Sequence, residues 1–393
     1  MRTVVTAAWL WDGTGLMRDP VVELSGGRVV SIQTRVEGAA PVADKQLDFP
    51  GATLAPAFLD VHIHGAAGRD VMEATPEALA GVSGFLATRG TGSFLATTVT
   101  APLDATLRSL SGLAKLIDAA KAESWQGARP LGIHLEGPFL SHAKRGVHPP
   151  EHLLAPDISV FDRMFEAAEG NIRLLTLAPE LPGAIDFAAH ATDRGVRISV
   201  GHSNATAAQT REAIAAGATS ATHTFNAMRA LDHREPGILG TVLTTGSLYA
   251  ELICDGIHVD PSLVPLWWRA KGENRAILVT DAMSAAGMPD GEYTLGGFPV
   301  HVAEGRATAD GVLAGSVLTL DLALKNFVAF TGAKIENALP LVTQNPASMT
   351  GFGDLAGTLR VGDRADFVAL GADGALAASI IGGQLQRTVP NNK

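Results

Sequence analysis

The sequence predicts an α/β fold, a (β/α)8 TIM-like barrel joined to a small β-sandwich domain formed from both termini. Three observations support this prediction. Eight apolar runs of strand length occur between residues 54 and 350, and Ala-rich amphipathic stretches separate several of them. Nearly every run acquires His, Asp, Glu or Asn near its carboxyl end, and both ends of the chain alternate short apolar runs with turns. Strands that alternate with helices favour a parallel sheet covered by helices.

The eight runs are the predicted barrel strands. They span residues 54–64, 93–100, 130–139, 172–180, 196–203, 219–228, 249–258 and 276–287. The intervening stretches "PEALAGVSGFLATRG" and "NATAAQTREAIAAGA" are typical of helices that end at Gly. An open doubly wound sheet is the alternative, but no glycine-rich dinucleotide fingerprint follows the first run.

Both termini are predicted to contribute to the small domain. The N-terminal part reads as short strands with Gly26 and Gly27 at a hairpin corner, and the C-terminal part alternates Gly/Asp turns with short apolar runs. We therefore expect residues 1–53 and 351–393 to form the β-sandwich and residues 54–350 to form the barrel.

The composition favours an ordered, soluble protein. Of the 393 residues, 46% are hydrophobic and 18% are charged, and the net charge of −10 disfavours a nucleic-acid partner. The single cysteine, Cys254, excludes an intrachain disulfide framework and is expected to pack rather than react. The N-terminus lacks a signal-peptide layout, and no apolar stretch approaches the ~20 residues of a membrane span. We expect a cytoplasmic protein with no membrane partner.

The stretch "FLDVHIHG", residues 58–65, carries three titratable side chains in an apolar strand. Asp60, His62 and His64 alternate with apolar residues, so they point to one face. Burying them unpaired would cost several kcal/mol. A bound metal ion would satisfy them, because two histidines at this spacing can chelate one ion.

Later runs place further metal-ligating side chains at the same rim. Glu136 lies in an apolar strand, and His202 and His223 come from neighbouring runs. The carboxyl ends of barrel strands form one face, where active sites lie. Four imidazoles and one carboxylate there are a ligand set for a divalent ion such as Zn²⁺. Asp281, on the last run, is predicted to act as general base toward water and then as acid for the leaving amine.

Each of these residues also has a purely structural explanation. A lone strand histidine is more often a satisfied core residue than a ligand, but six such groups at corresponding strand ends favour a metal-dependent hydrolase. Asp60 is expected to orient a ligand histidine. Histidines away from the strand ends are expected in loops or on the surface: His142, His152, His190, His233 and His301.

The ordered motifs "DVHIHG", "HLEGPF", "GHS", "HTFNAM", "DGIH" and "TDAM" resemble the amidohydrolase superfamily, and within it the N-acetylglucosamine-6-phosphate deacetylases. The resemblance runs nearly end to end and includes "NPA" at 345–347 and "GTLRVGDRADFV" at 357–368, which is similar to the superfamily's closing β-domain. The motifs "HLEGPF" and "HTFNAM" are far more specific than an HxH pair. Glu136 stands where many relatives have a carboxylated lysine.

The resemblance implies a primary metal ion held by Glu136, His202 and His223, with Asp281 as the catalytic acid and base. It also implies that the histidine pair of the first strand can hold a second ion with Glu136 as a bridge, so one or two ions are expected per subunit. Zn²⁺ is the first choice of metal, and Fe²⁺, Co²⁺, Mn²⁺ and Cd²⁺ are alternatives.

The resemblance also implies the substrate contacts. His148 and His258 are expected to hold the sugar near its acetamide, and one or the other of them to polarise the carbonyl. Asn226 and the Ala227 backbone are expected near the phosphate, which needs cationic and N–H donors. Arg234 is expected to bind the phosphate from the partner subunit of a homodimer. The stretch "LAGS", residues 313–316, resembles a loop that closes the site, and its Leu313, Ala314 and Gly315 are expected substrate contacts.

The expected reaction removes the acetyl group from N-acetyl-D-glucosamine 6-phosphate and gives D-glucosamine 6-phosphate and acetate, in amino-sugar catabolism. N-acetylgalactosamine 6-phosphate or another N-acyl compound is an alternative substrate, because the metal chemistry is indifferent to the sugar epimer. A non-catalytic scaffold of the same fold is a remote alternative, since such scaffolds typically lack metal ligands.

Overall fold

The computed structural model of the chain describes residues 2–35 and 43–388. The strands are β1 (Arg2–Trp11), β2 (Leu16–Arg18), β3 (Pro20–Ser25), β4 (Arg28–Thr34), β5 (Lys45–Pro56), β6 (Phe58–Ile63), β7 (Gly65–Ala66), β8 (Arg69–Asp70), β9 (Thr91–Thr98), β10 (Arg129–Glu136), β11 (Ile172–Leu177), β12 (Arg197–Val200), β13 (Ala218–Ala221), β14 (Tyr249–Ile253), β15 (Ala276–Val279), β16 (Gly291–Leu295), β17 (Phe298–Ala303), β18 (Arg306–Ala309), β19 (Val312–Leu313), β20 (Phe367–Leu370), β21 (Leu376–Ile381) and β22 (Gln384–Thr388). The α-helices are α1 (Pro76–Thr88), α2 (Leu103–Ala119), α3 (Ile158–Ala167), α4 (Ala184–Asp193), α5 (Ala207–Ala215), α6 (Gly237–Thr244), α7 (Val264–Lys271), α8 (Leu320–Thr331), α9 (Ile335–Ala338) and α10 (Gln344–Thr350). Short 3₁₀ helices span Val71–Glu73, His142–Lys144, Pro150–His152, Pro261–Leu263 and Leu339–Val342.

Eight parallel strands form the barrel, in the hydrogen-bonded order β6, β9, β10, β11, β12, β13, β14 and β15. Ile63, at the end of β6, also pairs in parallel with Ala282, just after β15, which brings the last strand against the first. Each of the eight predicted runs contains one of these strands. The (β/α)8 prediction is therefore confirmed, and the closure excludes an open doubly wound sheet.

The two helices predicted from Ala-rich stretches are α1 and α5, and local signals define their ends. At the start of α1 the Thr75 hydroxyl accepts the Ala78 backbone N–H at 3.2 Å, and Thr206 caps α5 in the same way. Gly90 and Gly217 follow these helices with φ of 83° and 111°. This left-handed conformation ends a helix, and glycine adopts it without strain.

Strands from both termini share one eight-stranded sheet, in which β5 pairs with β1 on one side and with β20 on the other. Gly26 and Gly27 form the predicted hairpin corner between β3 and β4, with φ of 59° and 77°. Val5, Leu54 and Phe367 are fully buried in a hydrophobic core of this sheet. Both termini therefore contribute to one small β domain, as predicted.

The boundary between the two parts falls inside the first predicted run. Strand β5 extends to Pro56, and Leu54 pairs with Ala369 in the small sheet, whereas Phe58 begins the barrel. The division of the chain into residues 1–53 with 351–393 and residues 54–350 stays a proposal, and the pairing favours a first boundary after Pro56. Residues 1, 36–42 and 389–393 of the predicted small domain lie outside the described residues.

An antiparallel sheet that the sequence reasoning missed, β16 to β19, follows the last barrel strand. Its Leu295 is buried in a cluster with Met283 and Val99, which follow β15 and β9. The Gly296 N–H donates to Asp70 Oδ2 at 2.8 Å and ties the sheet to β8. The inserted sheet therefore lies beside the carboxyl end of the barrel.

Among the described residues, no helix combines the length and apolar character needed to cross a bilayer. Cys254 follows β14 as a buried free thiol within the main hydrophobic core. Burial raises the pKa of this thiol well above its usual value, so the residue packs rather than reacts, as predicted.

Candidate metal centre

Predicted ligands from three strands meet at the carboxyl end of the barrel. Glu136 ends β10, and its Oε1 lies 3.2 Å from His202 Nε2 and 3.1 Å from His223 Nε2. The two Nε2 atoms are 3.0 Å apart. Two atoms bound to one tetrahedral Zn²⁺ at its usual bond lengths are about 3.3 Å apart. The three side chains therefore fit around a single divalent ion.

The histidine pair of β6 contacts the same carboxylate. His62 Nε2 is 3.3 Å from Glu136 Oε1, and His64 Nε2 is 3.3 Å from Glu136 Oε2. Asp281 Oδ1 lies 3.0 Å from His64 Nε2 and 3.5 Å from His62 Nε2. Glu136 thus stands between two histidine pairs, with His62, His202 and His223 at Oε1 and His64 at Oε2.

The outward hydrogen bonds of the histidines assign their protons. Three rings each place Nδ1 against an oxygen outside the cluster: His62 at 3.1 Å from Glu251 Oε2, His64 at 3.1 Å from the Thr97 carbonyl, and His202 at 2.9 Å from the Lys144 carbonyl. A carbonyl or carboxylate oxygen can only accept, so Nδ1 carries the proton. Each Nε2 lone pair then faces the oxygens of Glu136. Lone pairs facing a carboxylate repel it unless a cation lies between them, so the arrangement fits a metal ion.

Electrostatics favour the same cation. Burial disfavours a charged imidazole, yet the contacts of His64 with Asp281 and Glu136 raise its pKa to about 9, so a cation is favoured at Nε2, either a proton or a metal ion in its place. Burial also opposes ionisation of Asp281, but His62 and His64 lower its pKa to about 2. The pKa of Glu136 lies well below its usual range, because His62 and neighbouring histidines outweigh burial. The cluster therefore stabilises positive charge between its imidazoles and carboxylates.

Three of these residues occupy a left-handed backbone conformation. His202, His223 and Asp281 have φ of 44°, 25° and 50°. Each is the second residue after its strand, β12, β13 or β15. Such conformations cost of order 1–3 kcal/mol and concentrate at functional sites. They turn the chain at the barrel rim, where the side chains meet.

His148 has the opposite proton arrangement. The Thr100 backbone N–H donates to His148 Nδ1 at 3.3 Å, so the imidazole proton lies on Nε2. That nitrogen is 3.5 Å from Glu136 Oε2. Burial lowers the pKa of His148 to about 4, which keeps the ring neutral. The residue is therefore an N–H donor at the edge of the cluster rather than a lone-pair ligand.

A cavity of about 380 Å³ opens above the cluster. The predicted residues that line it are His64, Glu136, His148, His202, His223, Asn226, Ala227, His258, Asp281, Leu313 and Gly315. His258 Nδ1 donates to Asp255 Oδ2 at 2.7 Å, which orients its ring. Leu295 and Val312 of the inserted sheet complete the wall, and Lys144 adds a cation. The cavity thus combines the metal-ligating cluster with polar and apolar walls.

A family model described as the amidohydrolase family matches residues 53–389. The chain belongs to the amidohydrolase family. It is 39% identical to the N-acetylgalactosamine-6-phosphate deacetylase of Escherichia coli O157:H7, across 94% of this chain and 95% of that protein. It is 36% identical to the N-acetylglucosamine-6-phosphate deacetylase of Bacillus subtilis strain 168, across 94% and 93%. The chain also resembles a solved structure, that of a mutant N-acetyl-D-glucosamine-6-phosphate deacetylase from Mycobacterium smegmatis in complex with N-acetyl-D-glucosamine-6-phosphate. The two superpose with a TM-score of 0.90 at 36% identity, across 98% of this chain and 100% of that one.

Some predicted residues of this amidohydrolase do not reach the cavity. The Asp60 carboxylate is buried and accepts hydrogen bonds from the Thr280 hydroxyl at 2.6 Å and from the His62 backbone N–H at 3.2 Å. Asp60 therefore contacts the backbone of His62 rather than its ring. Burial raises the pKa of Asp60 to about 7. The Ala314 side chain packs in the core under the inserted sheet. Arg234 is exposed and does not line the cavity of its own chain.

Two buried residues beside the cluster were missed by the sequence reasoning. Glu251, on β14, is the acceptor for His62 Nδ1. His134, two residues before Glu136, packs its ring edge-on to His62 with centroids 4.6 Å apart and bonds Thr176 Oγ1 through Nε2 at 2.8 Å. The available signal was the same one that singled out Glu136: an isolated polar residue in an apolar strand.

Proposed function

We propose that this amidohydrolase removes the acetyl group from N-acetyl-D-glucosamine 6-phosphate, giving D-glucosamine 6-phosphate and acetate. The observation that carries the proposal is the convergence of Glu136, His202 and His223 below a cavity of about 380 Å³, with Asp281 beside the adjoining His64. The names of the similar proteins, which are deacetylases of N-acetylated hexosamine 6-phosphates, support the substrate class.

We infer that Glu136, His202 and His223 hold a primary divalent ion, with Zn²⁺ as the first choice for two imidazoles and one carboxylate. His62 and His64 would hold a second ion, with Glu136 as the bridge. A bound ion of this kind polarises the amide carbonyl and lowers the pKa of a coordinated water. The buried, lone-pair-lined cluster supports both placements.

Asp281 is the group that moves the protons. Its carboxylate lies over the cluster, 3.0 Å from His64 Nε2 and 3.5 Å from His62 Nε2, where an ionised oxygen can accept a proton from the attacking water. The amine formed when the C–N bond breaks is far more basic than a carboxylate, so the same oxygen can return the proton to it. Its contact with His64, at 3.0 Å, fixes the carboxylate over the cluster.

The cavity walls supply the orienting contacts. His148 Nε2–H is directed at the cluster from the side and would donate to the acetamide carbonyl oxygen as negative charge develops there. His258, held by Asp255, would contact the sugar. Asn226 and the Ala227 backbone would meet the phosphate, together with Arg234 from the second copy of a homodimer. The exposed position of Arg234 supports a contact with another subunit rather than with its own cavity.

The proposal is tested by acetate release from N-acetyl-D-glucosamine 6-phosphate. Protein stripped by a chelator is expected to lose activity and to regain it with Zn²⁺, while a parallel series with Fe²⁺, Co²⁺, Mn²⁺ and Cd²⁺ identifies the preferred metal. Undiminished acetate release from protein shown to be free of metal would contradict the proposal.

We also propose a cytoplasmic location, which the free thiol of Cys254 supports.

N-acetyl-D-galactosamine 6-phosphate is a second candidate substrate. The similarity to a protein named as a deacetylase of that sugar, at 39% identity, favours it. The two sugars differ only at C4, far from the acetamide, so the cluster acts equally on both. Side-by-side kcat/KM measurements decide between them, and a tenfold preference corresponds to about 1.4 kcal/mol of transition-state binding.

A further inference from the structure

Glu251 is a fully buried acidic residue that the proposed chemistry does not use. It lies on β14 inside the barrel, where Oε2 is 3.1 Å from His62 Nδ1 and 3.3 Å from the His223 backbone N–H. Its other oxygen, Oε1, has no hydrogen-bond partner in the described structure. A buried carboxyl group is costly, so its retention inside the barrel calls for a role.

The two N–H donors that meet at Oε2 belong to two predicted ligands. His62 donates from its ring, which leaves its Nε2 lone pair facing Glu136 at 3.3 Å. His223 donates through its backbone N–H, and its own φ is 25°. His134 packs edge-on against the His62 ring with centroids 4.6 Å apart. The His62 ring is therefore held by a hydrogen bond at Nδ1 and by packing against the His134 ring.

We infer that Glu251 is a positioning residue that fixes the His62 ring as its Nδ1–H form and thereby sets the affinity of the second metal ion. The inference rests on the proposed function only in requiring that divalent ions bind the cluster. Partners of this kind change metal affinity by about 10- to 100-fold when they are removed. A purely structural role for Glu251 would instead alter stability and leave the number of bound ions unchanged.

The direct test measures Zn²⁺ binding without substrate, by equilibrium dialysis against a competing chelator followed by elemental analysis. Wild-type protein is expected to take up two ions per chain, and Glu251→Met one ion at the Zn²⁺ concentration that gives two in the wild type. Glu251→Gln keeps an oxygen acceptor, so an intermediate loss of about tenfold in affinity for the second ion is expected. The Glu251→Gln variant also keeps the inference testable if Glu251→Met does not fold.

A double-mutant cycle shows whether Glu251 acts through His62. In the His62→Ala background, Glu251→Gln is expected to cause no further loss of metal affinity. Asp321→Asn is the matched control, because Asp321 is a buried carboxyl that pairs with Arg89 at 3.4 Å and does not line the cavity. It is expected to lower the melting temperature without changing the metal content.

Three results would overturn the inference. The first is a folded Glu251→Gln that binds two ions with unchanged affinity. The second is a loss of metal affinity from Glu251→Gln that is equally large in the His62→Ala background, and the third is uptake of only one ion by the wild type. None of these depends on which sugar is hydrolysed. Failure to release acetate from N-acetyl-D-glucosamine 6-phosphate would count against the proposed function alone.

Discussion

Replacing Asp281 with Asn tests the proton-transfer role most directly. Asp281 has φ of 50°, and Asn is among the few residues that adopt this left-handed conformation readily, so Asp281→Asn is expected to keep the backbone. The amide is isosteric but cannot accept and return a proton. General acid–base catalysis contributes about 10²- to 10⁴-fold, so kcat is expected to fall by that factor, or by about 2.7–5.4 kcal/mol.

The assay is acetate release at saturating N-acetyl-D-glucosamine 6-phosphate, with elemental analysis of each preparation. Glu136, His202 and His223 contact one another without Asp281, so the primary ion is expected to remain. Asp310→Asn is a matched control, since Asp310 also has φ of 50° but is exposed in the turn before β19. A kcat for Asp281→Asn within tenfold of the wild type, at equal metal content, would refute the assignment.

Three further predictions follow from other parts of the chain. Arg234→Ala is expected to raise KM for the phosphorylated sugar about 10- to 100-fold, because a charge-assisted contact is lost. An equal rise in KM for unphosphorylated N-acetylglucosamine would argue against a phosphate contact. The Lys271 Nζ–H groups donate to the carbonyls of Val242 and Thr245 at the end of α6, at 2.9 and 2.7 Å. Lys271→Met removes these donors and is expected to lower the free energy of unfolding, measured by urea titration, by about 1–3 kcal/mol. Burial and Arg275 lower the pKa of Lys271 to about 8. The unfolded chain, with a lysine pKa of about 10.4, therefore binds more protons than the folded chain between pH 8 and 10. The unfolding free energy of the wild type is expected to rise relative to that of Lys271→Met as pH increases through this window. A difference that stays constant with pH would contradict this.

The barrel and the meeting of the ligands could be predicted from the sequence because both depend on a simple repeat. Apolar runs of strand length marked all eight barrel strands. Parallel strands place their carboxyl ends on one face, so polar residues at those ends, such as Glu136 and His202, had to approach one another whatever their separation in the chain. Distances of 3.0–3.5 Å among the five predicted ligands and Asp281 agree with that reasoning.

Features that depend on specific tertiary partners could not be predicted in the same way. The inserted sheet from Gly291 to Leu313 consists of strands of two to six residues, too short for a clear period. The partner of Asp60 is Thr280, 220 residues away, and nothing in the local pattern identifies a hydroxyl at that distance. Glu251 stands alone in its strand, so its contact with His62 becomes visible only when the barrel closes.

The left-handed backbone at the rim limits which amino acids can serve there as metal ligands, at His202 and His223, or as the acid and base, at Asp281. A strand that simply continued would send alternate side chains to opposite faces of the barrel wall. At Asp281 the chain instead turns with φ of 50°, and its N–H donates to the His62 carbonyl at 2.9 Å while its carbonyl accepts the Ser316 N–H at 2.7 Å. Asp, Asn and His enter this conformation more easily than other residues with side chains. Cys and Glu also bind metals, but they would carry a larger backbone cost at His202, His223 and Asp281. Glu136 ends a regular strand at negative φ, and there the longer carboxylate carries no such cost.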